Sequence, residues 1–179
     1  MRFRLCFLAS ILVFFVSVSC NVDRKDPATQ VRINHICSQT SDYNLCQIIL
    51  NKNLYTPIAD FKILTQICLA QTTIYTSDTI IFIKTSERNE KDKTQRDLFQ
   101  ICDSGYGILL NQFSDASFAF GKGDYKSMLF DIEKSERFVN DCENVLGYKL
   151  TELHNKNTHT KVLIQMSNAS GNLIGSELQ

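Results

Sequence analysis

Four cysteines constrain this chain more than any other feature. Cys37 and Cys46 are separated by eight residues and Cys102 and Cys142 by thirty-nine, and each of the last two falls on a line of apolar residues recurring every three or four positions. Behind a leader of the export type, that placement describes a helical bundle pinned by disulfides in an oxidising compartment. Spacing alone leaves the connectivity open, since four cysteines allow three pairings.

The leader is the first twenty residues. Arg2 and Arg4 precede an apolar run from Leu5 to Val16, followed by the small residues Ser17 and Ser19. This is the layout of a signal peptide at residues 1–20, cut after Ser19 or Cys20, and the run is shorter than the roughly 20 apolar residues of a membrane span. A polar leader from Asn21 to Gln30 follows, so the folded domain is expected over residues 31–179 of a soluble, secreted protein. Loss of the signal removes two arginines and no acids, leaving seventeen basic against nineteen acidic side chains and a net charge of about −2. That balance favours neither nucleic acid nor an anionic membrane as a partner.

What remains is enough for one domain with a substantial core. Two prolines, seven glycines and no tryptophan in the whole chain point to long uninterrupted helices. Leu98, Cys102, Gly105, Leu109, Phe113, Ala116 and Phe120 share one helix face. After Gly121 and Gly123, with Asp124 placed to cap the next helix, a second stripe runs through Tyr125, Met128, Leu129, Ile132, Ser135, Phe138, Val139, Cys142 and Leu146. So short a connection makes the two helices antiparallel neighbours. Upstream, Pro57 reads as the first turn of a helix carrying Ile58, Phe61, Leu64, Cys68, Tyr75 and Phe82. Ile74, Tyr75, Asp78, Ile81 and Phe82 keep the helical period through the Thr- and Ile-rich stretch 71–83. The mixed-charge run Glu87–Asp97 reads as a wet connection or first turn. A last helix is expected from Thr158 to Leu178 through Val162, Met166, Ala169, Leu173 and Ile174. The fold class is therefore all-α: four long helices preceded by a short helical hairpin around Cys37 and Cys46.

Chemical constellations are sparse. His35, His154 and His159 have no i, i+4 relation and no cysteine at a zinc-like spacing, so no metal and no cofactor are expected. Cys68 sits on a core stripe without an assignable base, which reads as a buried free thiol rather than a nucleophile; Cys20, if retained, is its one alternative partner. Asn168-Ala169-Ser170 is an N-glycosylation sequon within the expected last helix. The chain reads as a binding protein and not an enzyme.

Three segments carry a resemblance: ICSQTSDYNLC (36–46), LFQICDSGYGILLNQFSDASFAFGKGDY (98–125) and ERFVNDCENVL (136–146). They resemble the plant invertase and pectin methylesterase inhibitor family, and the likeness extends from about Val31 to Leu178. Its most specific parts are the first cysteine spacing, the opening Leu98, Cys102, Tyr106, the step Gly123-Asp124-Tyr125, and Cys142 closing the second pair. The resemblance implies an up-down-up-down four-helix bundle with an N-terminal hairpin, and the pairings Cys37 with Cys46 and Cys102 with Cys142. It also implies an extracellular inhibitor that blocks a plant cell-wall carbohydrate enzyme, as a monomer, by one-to-one complex formation.

One local feature bears on the target. Invertase inhibitors of this family typically place Pro-Lys-Phe directly after Gly-Asp, in the enzyme's active site. Here Tyr125, Lys126 and Ser127 stand at that step, so only the lysine matches, and a wedge acts through a preorganised shape. Tyrosine there is more like the pectin methylesterase inhibitors, although Tyr125 also reads as the first core residue of its helix. Pectin methylesterase is accordingly the expected target, with acid invertase as the alternative and a non-inhibitory bundle as the reading from another class. Gln112, Asp115 and Lys126, off the apolar stripe on the two helices nearest this step, are the expected target contacts.

Overall fold

Five aspartates decide where helices begin. The computed structural model describes residues 25–146 and 149–175; the expected signal peptide, residues 21–24 of the polar leader and residues 176–178 of the expected last helix lie outside them. Asp26, Asp42, Asp60, Asp92 and Asp124 each accept a hydrogen bond from the backbone N–H three residues on. Such caps satisfy amides that the first turn leaves without partners, each contributing about 1 kcal/mol. They start α1 (Pro27–Cys37), α2 (Tyr43–Asn53), α3 (Phe61–Asn89), α4 (Lys93–Gly121) and α5 (Tyr125–Glu133). Two helices, α6 (Glu136–Val145) and α7 (Thr151–Ile174), begin without a side-chain cap.

Two boundaries differ from the sequence reading for this reason. Asp26 with Pro27 at N1 starts α1 inside the stretch read as polar leader, ahead of residue 31. Asp60, not Pro57, starts α3; the Pro57 carbonyl instead accepts from the Asp26 N–H at 2.9 Å, and Ile58 is exposed.

α1 and α2 form the hairpin, joined by Cys37–Cys46 with 5.4 Å between their Cα atoms. Ile33, Ile36, Ile49 and Leu50 bury one side of it. The Thr29 hydroxyl accepts from the Ala59 N–H at 2.9 Å, and the Gln165 carboxamide accepts from the Ser41 N–H at 2.8 Å, tying the hairpin to the chain before α3 and to α7. The bundle is a ring in which α3 packs on α4 and α7, and the α5–α6 pair packs on α4 and α7. Three-residue connections on either side of α4 enforce the antiparallel order. At 29 residues, α3 and α4 are each about 43 Å long. No helix among the described residues is long and apolar enough to cross a membrane.

The inward face of α3 is not the one that its isoleucines suggest. Leu64, Thr65, Cys68, Thr72, Thr76, Thr79 and Ile83 are fully buried, whereas Ile74 and Ile81 are 55% and 64% exposed, and Tyr75 and Phe82 are half-buried. Threonine reaches the core because Thr65, Thr72 and Thr79 donate to the carbonyls of Phe61, Cys68 and Tyr75 at 2.7–2.8 Å, one turn back. With its hydroxyl satisfied locally, a threonine packs as a small β-branched apolar residue. Small side chains let α3 meet α7 closely, where Ser167 lies 3.1 Å from the Thr72 hydroxyl.

Two further expectations are corrected. The third long helix is broken at Ser135, whose buried hydroxyl donates at 2.9 Å to the Asp131 carbonyl and to the Gln112 side chain on α4. A serine bonded back into its own helix competes with the backbone ladder and bends it. The last helix starts at Thr151, seven residues before Thr158. Its added turns bury Leu153 and Asn157, the second a polar residue invisible to an apolar pattern. Tyr106 donates to Asn157 at 2.8 Å, and Asn157 donates to the buried Glu143 at 2.6 Å, with His154 on the other Glu143 oxygen. Burial pushes the Tyr106 phenol well above its usual range. The second bridge, Cys102–Cys142 (Cα–Cα 4.6 Å), lies beside this network and joins α4 to α6.

Two outcomes follow for stability. The Thr76 hydroxyl is buried without a hydrogen-bond partner, so the isosteric Thr76→Val should raise stability by about 1 kcal/mol, measured by urea denaturation. Thr72→Val, which removes a satisfied hydroxyl, should lower it. Replacing Cys102 and Cys142 together by alanine should cost about 4 kcal/mol against roughly 3 for Cys37 and Cys46, because a 40-residue separation closes a larger loop than one of 9. Thermal melts followed by circular dichroism rank the two.

Candidate functional site

The α4–α5 turn carries the Gly123-Asp124-Tyr125 step, with Gln112 and Asp115 on the helix before it and Lys126 on the helix after it. Gly123 has φ +76°, a conformation that costs glycine nothing, and it ends α4: its N–H donates to the Phe120 carbonyl and the next N–H, of Asp124, to that of Ala119, both at 2.9 Å. The carboxylate of Asp124 then caps α5 by accepting from Ser127, and hydrogen bonds from that residue hold it below the ordinary carboxylate range. Tyr125 is half-buried as the first residue of α5, its ring 6.0 Å from Phe120 and Lys62 above it at 5.9 Å. Gly-Asp-Tyr is thus a rigid helix reversal that fixes how α4 and α5 present their outer faces.

The three expected contacts take different places on that surface. Gln112 is half-buried at the α4–α5 seam and accepts from Ser135, so it fastens the helix break to α4. Asp115 is exposed on α4 and faces Asp131 of α5, close enough for its charge to act there. Lys126 is exposed in the first turn of α5, where it acts on Asp124. No hydrogen bond or ion pair links Lys126 to Gln112 or Asp115 among the described residues.

Sequence reasoning passed over two exposed aromatic residues on these helices. Phe118 on α4 and Phe130 on α5 are 66% and 57% exposed, and each carries a lysine over its ring: Lys122 at 4.0 Å and Lys134 at 3.2 Å from the centroid. Arg137 lies 4.5 Å over Phe138 on α6. A cation held over a ring narrows the rotamers of both side chains. The available signal was their register, since Phe118 and Phe130 fall between the apolar positions of their helices.

Elsewhere the titratable groups are engaged structurally. Cys68 is a buried free thiol pushed by burial up to about 12, far from the thiolate that nucleophilic chemistry needs. His35 packs edge-on to Phe61, His154 meets Glu143, and His159 stacks on Tyr75 with 4.0 Å between centroids. No three His, Cys, Asp or Glu side chains gather as metal ligands among the described residues. Asn168 lies within α7, its side-chain carbonyl accepting from Asn172 at 3.1 Å, and the sequon's Ser170 is buried and donates to the Ser167 carbonyl.

Asp131 offers a test of this seam. Partial burial, then the charge of Asp115, raise its pKa, with Lys134 opposing. A folded carboxylate pKa above the unfolded value means that the charged form costs stability at neutral pH. The cost is relieved as pH falls through the raised value. Asp131→Asn should therefore be more stable than the parent at pH 7 by a few tenths of a kcal/mol, the gap closing towards about pH 4, as read by chemical denaturation across pH.

No protein-family model matches the sequence, and no curated protein is similar to it. Solved structures share its fold. One is the crystal structure of mutant form A of a pectin methylesterase inhibitor from Arabidopsis, with TM-score 0.72 and 15% identity over 79% of this chain and 96% of that one. Another is a pectin methylesterase inhibitor from Arabidopsis thaliana, with TM-score 0.61 and 16% identity over 80% of this chain and 95% of that one. At such identities the likeness is one of fold.

Proposed function

We propose that the protein is a secreted inhibitor of pectin methylesterase, acting as a monomer that covers the enzyme's substrate cleft in a reversible one-to-one complex. The observation that carries this reading is the nearly complete overlap with a pectin methylesterase inhibitor, 96% of whose length is matched. The cysteine spacing and the Gly-Asp-Tyr reversal support it from the sequence side. The disulfide-pinned hairpin and the export-type leader fit the cell wall as the place of action.

The proposed mechanism uses rigidity instead of chemistry. A helix face whose turn is fixed by a glycine cap, and whose exposed rings are held by lysines, loses little conformational freedom on docking. Interfaces draw most of their energy from a few aromatic anchors, and Phe118 and Phe130 have that character. Asp115 and Lys126 would supply polar contacts around them, with Gln112 holding the seam in register. Acid invertase is the alternative target, but Tyr125, Lys126 and Ser127 lack the proline and phenylalanine of the invertase-directed step.

Titration of the purified protein against a pectin methylesterase and an acid invertase, side by side, tests the reading. Stoichiometric loss of esterase activity with unchanged invertase activity is the expected result. Inhibition of invertase alone would transfer the assignment, and silence against several members of both enzymes would favour a non-inhibitory bundle. Within the complex, Phe118→Ala and Phe130→Ala should each raise the inhibition constant about tenfold or more, and joint alanine replacement of Gln112, Asp115 and Lys126 should weaken it further. Circular dichroism checks that the fold persists in each variant.

A further inference from the structure

Tyr55, in the connection between α2 and α3, is 65% exposed and is shared by two adjoining recesses of about 300 and 190 Å³. The first is also lined by Lys25 and Asn51, with Leu54, Thr56 and Pro57; the second by Asn53, Gln66 and Gln71, with Ile67 and Ala70. Four carboxamides and one ammonium group therefore surround the exposed phenol ring of Tyr55, and no carboxylate lines either recess.

The lining is held in place by its own hydrogen bonds. The Tyr55 hydroxyl donates to Gln66 at 3.2 Å, the Asn53 amide donates to the Ile49 carbonyl at 2.8 Å, and Asn51 donates to the Gln47 carbonyl at 2.7 Å while accepting from Lys25. Gln71 makes no hydrogen bond among the described residues and has a donor and an acceptor to offer. Burial draws the Lys25 ammonium below its usual range, so an anion beside it would be favoured.

This combination selects one ligand chemistry. The C–H face of a pyranose ring packs on an aromatic ring, and its hydroxyls both donate and accept, as planar carboxamides do. A ligand placing a negative charge in the first recess would pair with Lys25. We infer that the two recesses flanking Tyr55 form a binding site for a short acidic oligosaccharide, one bearing uronate carboxylates, with Tyr55 as the stacking platform and Lys25 as the carboxylate partner. The site uses none of the α4–α5 residues and does not depend on the inhibitory reading.

The test titrates the full folded chain with trigalacturonate and, in parallel, with neutral galactotriose, following ¹⁵N-detected backbone and carboxamide resonances. Trigalacturonate should shift Asn51, Tyr55, Gln66 and Gln71 and bind more tightly than galactotriose. Tyr55→Ala should weaken binding about tenfold while Tyr55→Phe retains it. Lys25→Gln should abolish the preference for the acidic sugar, and raising salt from about 0.05 to 0.5 M should weaken the acidic ligand alone. Absence of shifts at these residues, equal affinity for the two sugars, or unchanged affinity in Tyr55→Ala would overturn the proposal. Tyr55 is exposed and, among the described residues, its side chain is hydrogen-bonded only to Gln66, so its variants should keep the fold, which circular dichroism verifies. Inhibition assays on the same variants report separately on the α4–α5 face.

Discussion

Hydrogen bonds made by inward threonines to carbonyls one turn back are the interaction on which the bundle's packing depends. A buried hydroxyl without a partner costs about 1–3 kcal/mol, and α3 sends four of them into the core. Because three are satisfied within α3 itself, α7 can approach that line with Ser167 opposite Thr72. On the side of α7 that meets α5, Gly171 marks an equally close approach: a Cβ there would lie 2.7 Å from Met128 and 2.9 Å from Leu129. α5 is seated against α7 by that fit, and the direction of its outer face follows.

The other polar network, Tyr106, Asn157, Glu143 and His154, fastens the opposite stretch of the ring. It joins α4, α6 and α7 beside the Cys102–Cys142 bridge, so one region is held both covalently and by hydrogen bonds whose loss would strand a buried carboxylate. The hairpin is held more lightly, by four aliphatic side chains and a few side chain to backbone bonds, with the Cys37–Cys46 bridge acting inside it. Rigidity is thus concentrated in the four-membered ring that presents the proposed docking face. A rigid surface suits inhibition by covering, since little order has to be imposed on binding.

The two surfaces assigned to ligands differ as their chemistry requires. The α4 and α5 helices expose phenylalanines that carry lysines over their rings, the character of anchors for a protein partner. The surroundings of Tyr55 are concave and amide-rich, suited to a small polyhydroxylated molecule.

The all-α class, the hairpin, the turn at Gly123 and the pairing of the cysteines were legible in the sequence or in its family resemblance, because helical period, caps and cysteine spacing are local properties of the chain. Ser135 was legible as a core position but not as a break, since its second partner, Gln112, lies on another helix. Thr151 was missed as a helix start because no capping side chain precedes it and, before Thr158, it adds one apolar core residue, Leu153, beside the polar Asn157. Tyr75 and Phe82, read as core positions of α3, are only half-buried for a related reason: an apolar pattern ranks aromatic residues above threonine, whereas the neighbours decide which face is covered. The sequence by itself determined that the chain is helical and roughly where its long helices turn. Only the tertiary structure decided which face of α3 is inside, and which phenylalanines and tyrosines remain outside, because burial is a contest among all faces for a limited contact surface, and polar side chains with local partners win part of it.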